Sequence, residues 1–243
     1  YMAATADGLS RTLLLYPENR VIPVPPGVDL EVAALTEPLS IALNAFEVAT
    51  ISKNEKAAVI GDGTIGYMTA LIMSYLGGVA IENLYLIGIV EEKLRLAGDF
   101  STTLNSLREK QRLEGLQQSF DVAFEAVGGR SQGITLDEAT DLLKPGGRCV
   151  VLGLSGAKVP VDINRLVNKG LALKGSVRSR MEHFKRVIEL LKDLNFSDKV
   201  KRMISEKRFI IKSPEDLEVA FRYADTEEGE ARTKPGRVLV HFP

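Results

Sequence analysis

The stretch AAVIGDGTIGYMTA, residues 57–70, joins a short apolar run to an apolar helix through a turn that contains Gly61, Gly63 and Gly66. These three glycines have the spacing GxGxxG. On its own this spacing is weak evidence, because glycine is common in turns, including structural turns that bind no ligand. Directly between a strand and a helix, however, it is the pattern that binds the pyrophosphate of a dinucleotide.

Each residue of that turn has a predicted task. Gly61 makes the tight turn, Gly63 lets the backbone approach a pyrophosphate without an intervening Cβ, and Gly66 lets the helix lie close to the sheet. The first helical residues, Thr64 and Ile65, present N–H groups and partial positive charge to the anion. We therefore predict a dinucleotide site here, with a ligand-free glycine-rich turn as the alternative.

Strands and helices alternate after this turn. Helices are predicted after the first strand, from Glu91, over 132–147, where Pro-Gly-Gly ends the helix, and over 161–170. Strands are predicted over 56–61, 83–89, 120–128, 148–154 and 171–177. Such alternation is typical of right-handed βαβ units, so we expect an α/β Rossmann fold, a doubly wound parallel sheet of about six strands.

The two ends of the chain have a different texture. Short β-type runs over 12–15 and 21–24, broken by prolines, suggest the tail of a β-rich domain that begins before this chain. Two helices follow, the first capped by Asp29 and the second beginning at Pro38. An amphipathic helix over 182–194 is followed by a strand, a short helix, an acidic loop over 227–230 and a last strand over 236–242.

Composition limits the possible partners. The 243 residues carry a formal net charge of −1, with 45% hydrophobic and 26% charged residues, which gives no bias toward nucleic acid or anionic membranes. The single cysteine, Cys149, forms no internal disulfide and is expected to be a buried structural thiol. The longest apolar run, 67–76, is far shorter than the ~20 residues that span a bilayer. We expect a cytoplasmic protein that binds neither nucleic acid nor membrane.

The end of the second strand bears on the choice of coenzyme. An acidic residue there would accept the ribose hydroxyls and repel a 2′-phosphate, but this position holds Gly88. Lys93 or Arg95 on the next helix could reach such a phosphate, so NADP is favoured. NAD remains the alternative coenzyme, because Glu91 and Glu92 follow closely and could bind the ribose hydroxyls. Lys93 or Arg95, taken alone, is also typical of a solvent-exposed helix face.

Five segments together resemble the medium-chain dehydrogenase/reductase superfamily, which includes the zinc alcohol and polyol dehydrogenases. They are ENRVIPVPPGVDLEVAALTEPLSIALNAF, GDGTIG, FDVAFEAVGG, LKPGGRCVVLG and KGLALKGSVRS, in that order along nearly the whole chain. The pattern is most similar to the ribulose-5-phosphate reductases, also called ribitol-5-phosphate dehydrogenases. That resemblance implies NADPH, zinc, and a GroES-like β-rich catalytic domain with remnants at both ends of the chain.

The implied domain organisation has three parts. Residues 1–43 are the end of the GroES-like domain and a linking helix, 44–180 the Rossmann dinucleotide-binding domain, and 181–243 a segment returning to the catalytic domain. The resemblance implies that the first part of the catalytic domain, with the cysteine and histidine that hold zinc, is absent. Zinc is therefore expected only in the full-length protein, and this chain is expected to bind coenzyme without turnover.

The resemblance also carries over particular site residues. Glu37, in TEP, matches a glutamate that ligates zinc or holds its water, although a helix-terminal acid is the alternative. Arg178, in GSVRS, matches a position beside the nicotinamide, with Val177 next to it. For a sugar phosphate, Ser179, Arg180 and Arg130 are further candidates, and Arg180 equally fits a surface arginine. His183 and His241 have no partner pattern and are expected to be structural.

Two more backbone segments are predicted to bind the coenzyme. Open α/β sheets bind ligands at the carboxyl ends of their strands, and peptide groups there could hold the nicotinamide and its ribose. These groups belong to Ala126, Val127 and Gly128 and to Leu152, Gly153 and Leu154.

The predicted function is NADPH-dependent, zinc-assisted reduction of a phosphorylated ketose, ribulose 5-phosphate to ribitol 5-phosphate, or of a related polyol substrate. An NAD-dependent polyol or threonine dehydrogenase is the alternative enzyme. A non-catalytic nucleotide-binding module is the alternative from another class. The expected partners are a small sugar phosphate or polyol and, through a homodimer or homotetramer, further copies of the chain.

Overall fold

The computed structural model describes residues 13–225 and 236–243. Its described strands are β1 Ala57–Ile60, β2 Leu84–Gly88, β3 Thr102–Asn105, β4 Phe120–Glu125, β5 Leu143–Val151, β6 Ala172–Gly175, β7 Ile204–Ile210 and β8 Arg237–His241. Its described α-helices are α1 Leu30–Ala33, α2 Thr36–Ala49, α3 Thr64–Tyr75, α4 Glu91–Arg95, α5 Lys110–Glu114, α6 Gln132–Leu142, α7 Ile163–Lys169, α8 Met181–Leu190, α9 Leu194–Lys201 and α10 Pro214–Ala224.

Six parallel strands form the main sheet, in the order β3-β2-β1-β4-β5-β6. This order reverses direction beside β1, which pairs with β2 on one side and with β4 on the other. A reversal of this kind opens a crevice at the carboxyl ends of the strands, where doubly wound sheets bind their ligands. The predicted α/β Rossmann fold with six strands is confirmed.

The apolar strands explain why the sheet is the core. All four residues of β1 are buried, as expected for a central parallel strand covered by helices on both faces. On one face α2, α3 and α8 pack against the sheet, and on the other face α6 does. The register pairs Ile60 with Ile87 and with Glu125, so the loops after β1, β2 and β4 begin at one level.

The C-terminal part forms a smaller unit. Strands β7 and β8 make a separate two-stranded parallel sheet, and α10 packs on both of them. Ser213 caps α10 by accepting a hydrogen bond from the Asp216 N–H group. The Arg208 guanidinium binds the Glu31 carboxylate, so this unit is joined to α1.

Several predictions about the ends of the chain need correction or fall outside the description. No strand is present over 13–15 or 21–24, where Leu13 and Leu15 are exposed by 88% and 101% and no described strand offers a ladder. Thr12 and the predicted acidic loop over 227–230 lie outside the described residues. Strand β3 and the helices α5 and α9 are elements that the sequence patterns did not predict, and β5 begins at Leu143, inside the predicted helix over 132–147.

The predicted domain boundaries remain predictions. Helix α2 runs through the one between residues 43 and 44. Past the second boundary, Val187 and Phe196 belong to the same apolar cluster as Val59 of β1. Along the described parts of the chain, no helix has both the length and the apolar character needed to cross a membrane.

Candidate functional site

The glycine turn has the close contacts that its spacing predicts. Gly61 has φ of 125°, which favours glycine, and a Cβ there would lie 3.0 Å from the Ala126 carbonyl group. At Gly66 a Cβ would lie only 1.8 Å from the Gly61 carbonyl oxygen. The first helical turn of α3 therefore packs directly on the turn that precedes it, and only glycine allows this approach.

Gly63 differs from the other two glycines because it faces open space. It is the N-cap residue of α3, no side chain caps the helix there, and a Cβ added to it would meet nothing within 4 Å. The first N–H groups of a helix, here from Thr64 and Ile65 onward, have no acceptor within the helix. An anion placed over Gly63 would satisfy such groups and the helix dipole.

The space beside Gly88 is filled by the carboxylate of Asp62. The Asp62 Oδ2 atom accepts hydrogen bonds from the Ile89 and Val90 N–H groups, both at 2.7 Å. A Cβ at Gly88 would lie 2.4 Å from the Asp62 Cβ. Gly88 therefore does not remove negative charge from the end of β2, as the sequence suggested, because the glycine turn supplies a carboxylate to the same place.

A second carboxylate organises the loop after β4. Glu125 is completely buried. Its Oε1 atom accepts from the Val127 N–H at 2.9 Å, the Gly128 N–H at 3.0 Å and the Thr135 hydroxyl at 2.9 Å. Its Oε2 atom accepts from Gln132 Nε2 at 3.1 Å. These four donors explain how a buried carboxylate can be accommodated at the end of an apolar strand.

The same network connects the loop after β4 to the loop after β5. Gln132 also donates to the Gly153 carbonyl oxygen at 2.7 Å, and the Gly129 N–H donates to that of Leu154 at 2.8 Å. A Cβ at Gly153 would lie 2.4 Å from the Gly128 nitrogen, so the two loops are in backbone contact. The structure thus brings together the two segments, 126–128 and 152–154, that were predicted to bind the nicotinamide half of a coenzyme.

The start of α2 lies against the segment that follows β6. The Ser40 hydroxyl is 2.9 Å from that of Ser179, and Asn44 Nδ2 donates to the Ser176 hydroxyl at 2.9 Å. Glu37 is on the same first turn of α2, and its carbonyl oxygen accepts from Ser40. Partial desolvation by the surrounding protein raises the pKa of the Glu37 carboxyl group, and the positive charge of Arg237 opposes this with a smaller effect.

Arg178 lies in that segment with an unusual backbone. Its φ is 55°, in the left-handed region that residues other than glycine rarely adopt, and such conformations concentrate at functional sites. Val177 beside it is 76% exposed. Both residues are exposed, in the segment that follows β6 and contacts the first turn of α2.

The remaining cations and histidines occupy varied positions. Lys93 is half-buried on α4, and Arg95 is exposed and 3.8 Å from Glu92. Arg180 is exposed and pairs with Glu47, as expected of a surface arginine. Buried His183 accepts from the Arg180 N–H and lies 3.0 Å from Glu47, while His241 lies 3.7 Å from Glu31.

A cavity of about 350 Å³ lies beside the glycine turn. Gly61, Asp62 and Gly88 line one side of it, and Thr135 and Glu138 of α6 line another. Arg130 lines a different cavity, of about 570 Å³, between the loops after β4 and β5.

The described residues do not form a metal centre on their own. They contain no group of three or more His, Cys, Asp or Glu side chains placed to hold a metal ion. Cys149 is 1% exposed, and burial raises the pKa of its thiol to about 12, so it does not supply a thiolate. A zinc ligand role for Glu37 therefore stays a prediction.

Three acidic residues at this edge were missed by the sequence patterns. Asp62 lies within the glycine turn, but neither it nor Glu125 or Glu138 was assigned a role. An acid at the end of an apolar strand, as in FDVAFE, is a signal that could have identified Glu125, because a charge at such a position must be paired. No comparable signal marks Glu138, which lies in the middle of α6.

The chain is similar to several known proteins. The family model described as "Zinc-binding dehydrogenase" matches residues 65–193, more than half of the chain. Ribulose-5-phosphate reductase 1 of Staphylococcus aureus is 31% identical over 241 residues, which cover 97% of this chain and 66% of that protein. L-threonine 3-dehydrogenase of Ruegeria pomeroyi is 27% identical over 203 residues, covering 79% of this chain and 56% of that protein.

Among solved structures, TarJ of Staphylococcus aureus in complex with NADPH superposes with a TM-score of 0.81. The two are 28% identical, and the match covers 95% of this chain and 69% of that one. The chain spans between about half and two thirds of the length of the curated relatives it matches.

Proposed function

Since this chain belongs to the zinc-binding dehydrogenase family, we propose that the protein is an NADP(H)-dependent oxidoreductase that reduces ribulose 5-phosphate to ribitol 5-phosphate. The observation that carries the proposal is the continuous row of loops along the carboxyl edge of the sheet, from open Gly63 to the joined segments at Gly128 and Gly153. A row of this kind suits an extended dinucleotide better than a compact ligand.

The residues along this edge fit the parts of NADPH. The N-terminus of α3 at Gly63 would hold the pyrophosphate, and the space at Asp62 and Gly88 would take the adenosine ribose. The peptide groups of 126–128 and 152–154 would fix the nicotinamide ring and its ribose, because the Glu125 network holds both loops in place. Bound NADPH would supply the hydride.

The preference for NADPH over NADH rests on the relatives and on nearby cations. TarJ was crystallised with NADPH, and Lys93 lies on the helix that follows β2. The negative charge of Asp62 opposes this preference. Its Oδ2 atom accepts hydrogen bonds from two backbone N–H groups, whose positive ends partly offset that charge. We therefore propose NADPH as the coenzyme, with Asp62 as a residue that limits the preference.

Glu37 and Arg178 are proposed as the polar residues on the substrate side. They belong to two segments that meet where Ser40 contacts Ser179, so a sugar phosphate bound there would meet one acid and one cation. The described residues do not themselves fit zinc. A metal in this protein would need donors from outside them, with Glu37 as the candidate ligand that they contribute.

Self-association through the edge of the sheet is also proposed. β6 is an edge strand of the main sheet, and three of its four residues are exposed, including Leu173. An unpaired apolar edge favours pairing with another strand, which a second copy of the chain could provide. A homodimer is the simplest product, and a homotetramer would need a further interface.

The test of the function is an NADPH assay on the product of the complete open reading frame, with metal content measured on the same sample. Ribulose 5-phosphate should cause oxidation of NADPH, and removal of metal by a chelator should lower the rate. Turnover of threonine or a free polyol with NAD⁺ would instead support the second candidate, which the similarity to L-threonine 3-dehydrogenase favours. NADPH binding without any turnover would support a non-catalytic module.

A further inference from the structure

The cavity beside the glycine turn has features that the proposed function has not yet used. Four large apolar side chains, Ile89, Leu107, Val127 and Ile134, line it although they are between 44% and 72% exposed to solvent. Apolar side chains gathered in one concave place mark a binding site rather than an ordinary surface. The occupant should therefore have an apolar face of its own.

The charges in the cavity indicate the polarity of the occupant. The charged side chains that line it are Asp62 and Glu138, and no lysine or arginine among the described residues does so. An anionic group is thus disfavoured beside Glu138, and a group that donates hydrogen bonds is favoured there. The phosphate-binding end of α3 lies just outside, beyond Gly61 and Asp62.

Glu138 is the polar group in this cavity whose bonding is incomplete. Its Oε1 atom is buried and has no hydrogen-bond partner among the described residues, in contrast to the fully bonded carboxylate of Glu125. Burial raises the pKa of the Glu138 carboxyl group. Glu138 lines the cavity, and Oε1 alone of its two oxygens is enclosed without a partner in the described part of the chain, so the other carboxyl oxygen can accept a hydrogen bond from a ligand there. A carboxyl group with one enclosed oxygen unpaired carries a free-energy cost, and a hydrogen bond from a ligand to the other oxygen would offset part of that cost.

We propose that Glu138 binds the exocyclic amino group of the coenzyme's adenine, and that it selects for this base. The apolar walls would hold the two faces of the ring, and the carboxyl group would accept from the amine. This inference rests on the proposed binding of NADPH.

The decisive variants are Glu138→Met and Glu138→Gln, each compared with Glu114→Met on exposed α5. Methionine matches the length of glutamate but cannot accept from the amine, so binding of both NADPH and adenosine 2′,5′-bisphosphate should weaken about tenfold. Glutamine keeps a carbonyl acceptor and an N–H donor, so its affinity should stay within about threefold of the parent. Reduced nicotinamide mononucleotide, which lacks adenine, should bind all variants equally.

Thermal unfolding without nucleotide supplies a second readout with the opposite sign. Glu138→Met should raise the unfolding temperature, since an apolar side chain replaces a buried oxygen that lacks a partner. Equal affinities of the parent and Glu138→Met for NADPH would overturn the inference and leave the proposed function standing. An equal loss for the mononucleotide would overturn it too, since it would indicate a general defect. A parent protein that does not bind NADPH would overturn both.

Discussion

Two carboxylates hold the loops at the carboxyl edge of this sheet, and they do so in different ways. Glu125 is completely buried and accepts four hydrogen bonds, from two backbone N–H groups and two side chains. Asp62 is partly exposed, and its Oδ2 atom accepts two backbone bonds. The first is wholly committed to structure, whereas the second still faces the space where a ligand would lie. One carboxylate thus holds the loops rigidly at one end of the crevice, and the other can influence which coenzyme binds at the other end.

The largest effect should come from removing the buried carboxylate. Glu125→Ala removes a buried acceptor of four hydrogen bonds, so the free energy of unfolding should fall by about 3–5 kcal/mol. Urea unfolding measures this loss. Glu206→Ala, at an exposed position on β7, is the matched control and should change stability by less than about 0.5 kcal/mol. A loss for Glu125→Ala as small as that of the control would contradict the role assigned to the network.

The milder variant Glu125→Gln separates loop positioning from folding. It keeps one acceptor oxygen but sets an NH₂ group against Gln132, so the joined loops should shift while the fold survives. NADPH binding should weaken about tenfold. Adenosine 2′,5′-bisphosphate, which lacks nicotinamide, should bind as before, as calorimetric titration can measure. Equal weakening of both ligands would refute a local role at the nicotinamide end.

Methyl groups added at the two glycine contacts should give a smaller but graded loss. Gly153→Ala places a Cβ 2.4 Å from the Gly128 nitrogen, where the backbone must move, and should cost about 2–3 kcal/mol of unfolding free energy. Gly88→Ala meets the Asp62 side chain, which can turn away, and should cost about 1 kcal/mol.

Gly98→Ala is the control for both glycine variants, because its nearest contact would lie at an ordinary 3.6 Å. Thermal or urea unfolding of the three variants side by side tests the order. A greater loss of stability for Gly88→Ala than for Gly153→Ala would contradict the proposal that the Asp62 side chain can move whereas the loops held by Glu125 cannot.

The smallest change is expected for Asp62→Asn. The amide oxygen still accepts from the Ile89 and Val90 N–H groups, so stability should fall by less than about 1 kcal/mol. Removing one negative charge near the proposed 2′-phosphate should raise the ratio of NADPH to NADH affinity about three- to fivefold. Titration of both coenzymes provides the ratio. A lower ratio than in the parent would mean that Asp62 does not repel the 2′-phosphate.

The sequence predicted most of the fold because its signals are local. Apolar runs such as 57–60, helix caps such as Asp29, and glycine spacing all depend on residues that are neighbours along the chain. The errors occurred where such signals were weak. β3, with sequence TTLN, is short and half polar, and the runs at 13–15 and 21–24 had β-type composition but no partner strand. A strand requires a partner ladder, which composition does not specify.

For the candidate site, the sequence by itself determined the glycine turn and the row of strand ends, since each follows from the order of adjacent residues. Only the tertiary structure decided which side chains meet there. Asp62 reaches N–H groups 27 and 28 positions away, and Gln132 joins Glu125 to Gly153 across two loops. These contacts depend on how strands and helices pack in three dimensions. From the sequence, Gly88 predicts that no carboxylate lies at the end of β2, whereas in the structure the Asp62 carboxylate occupies that place.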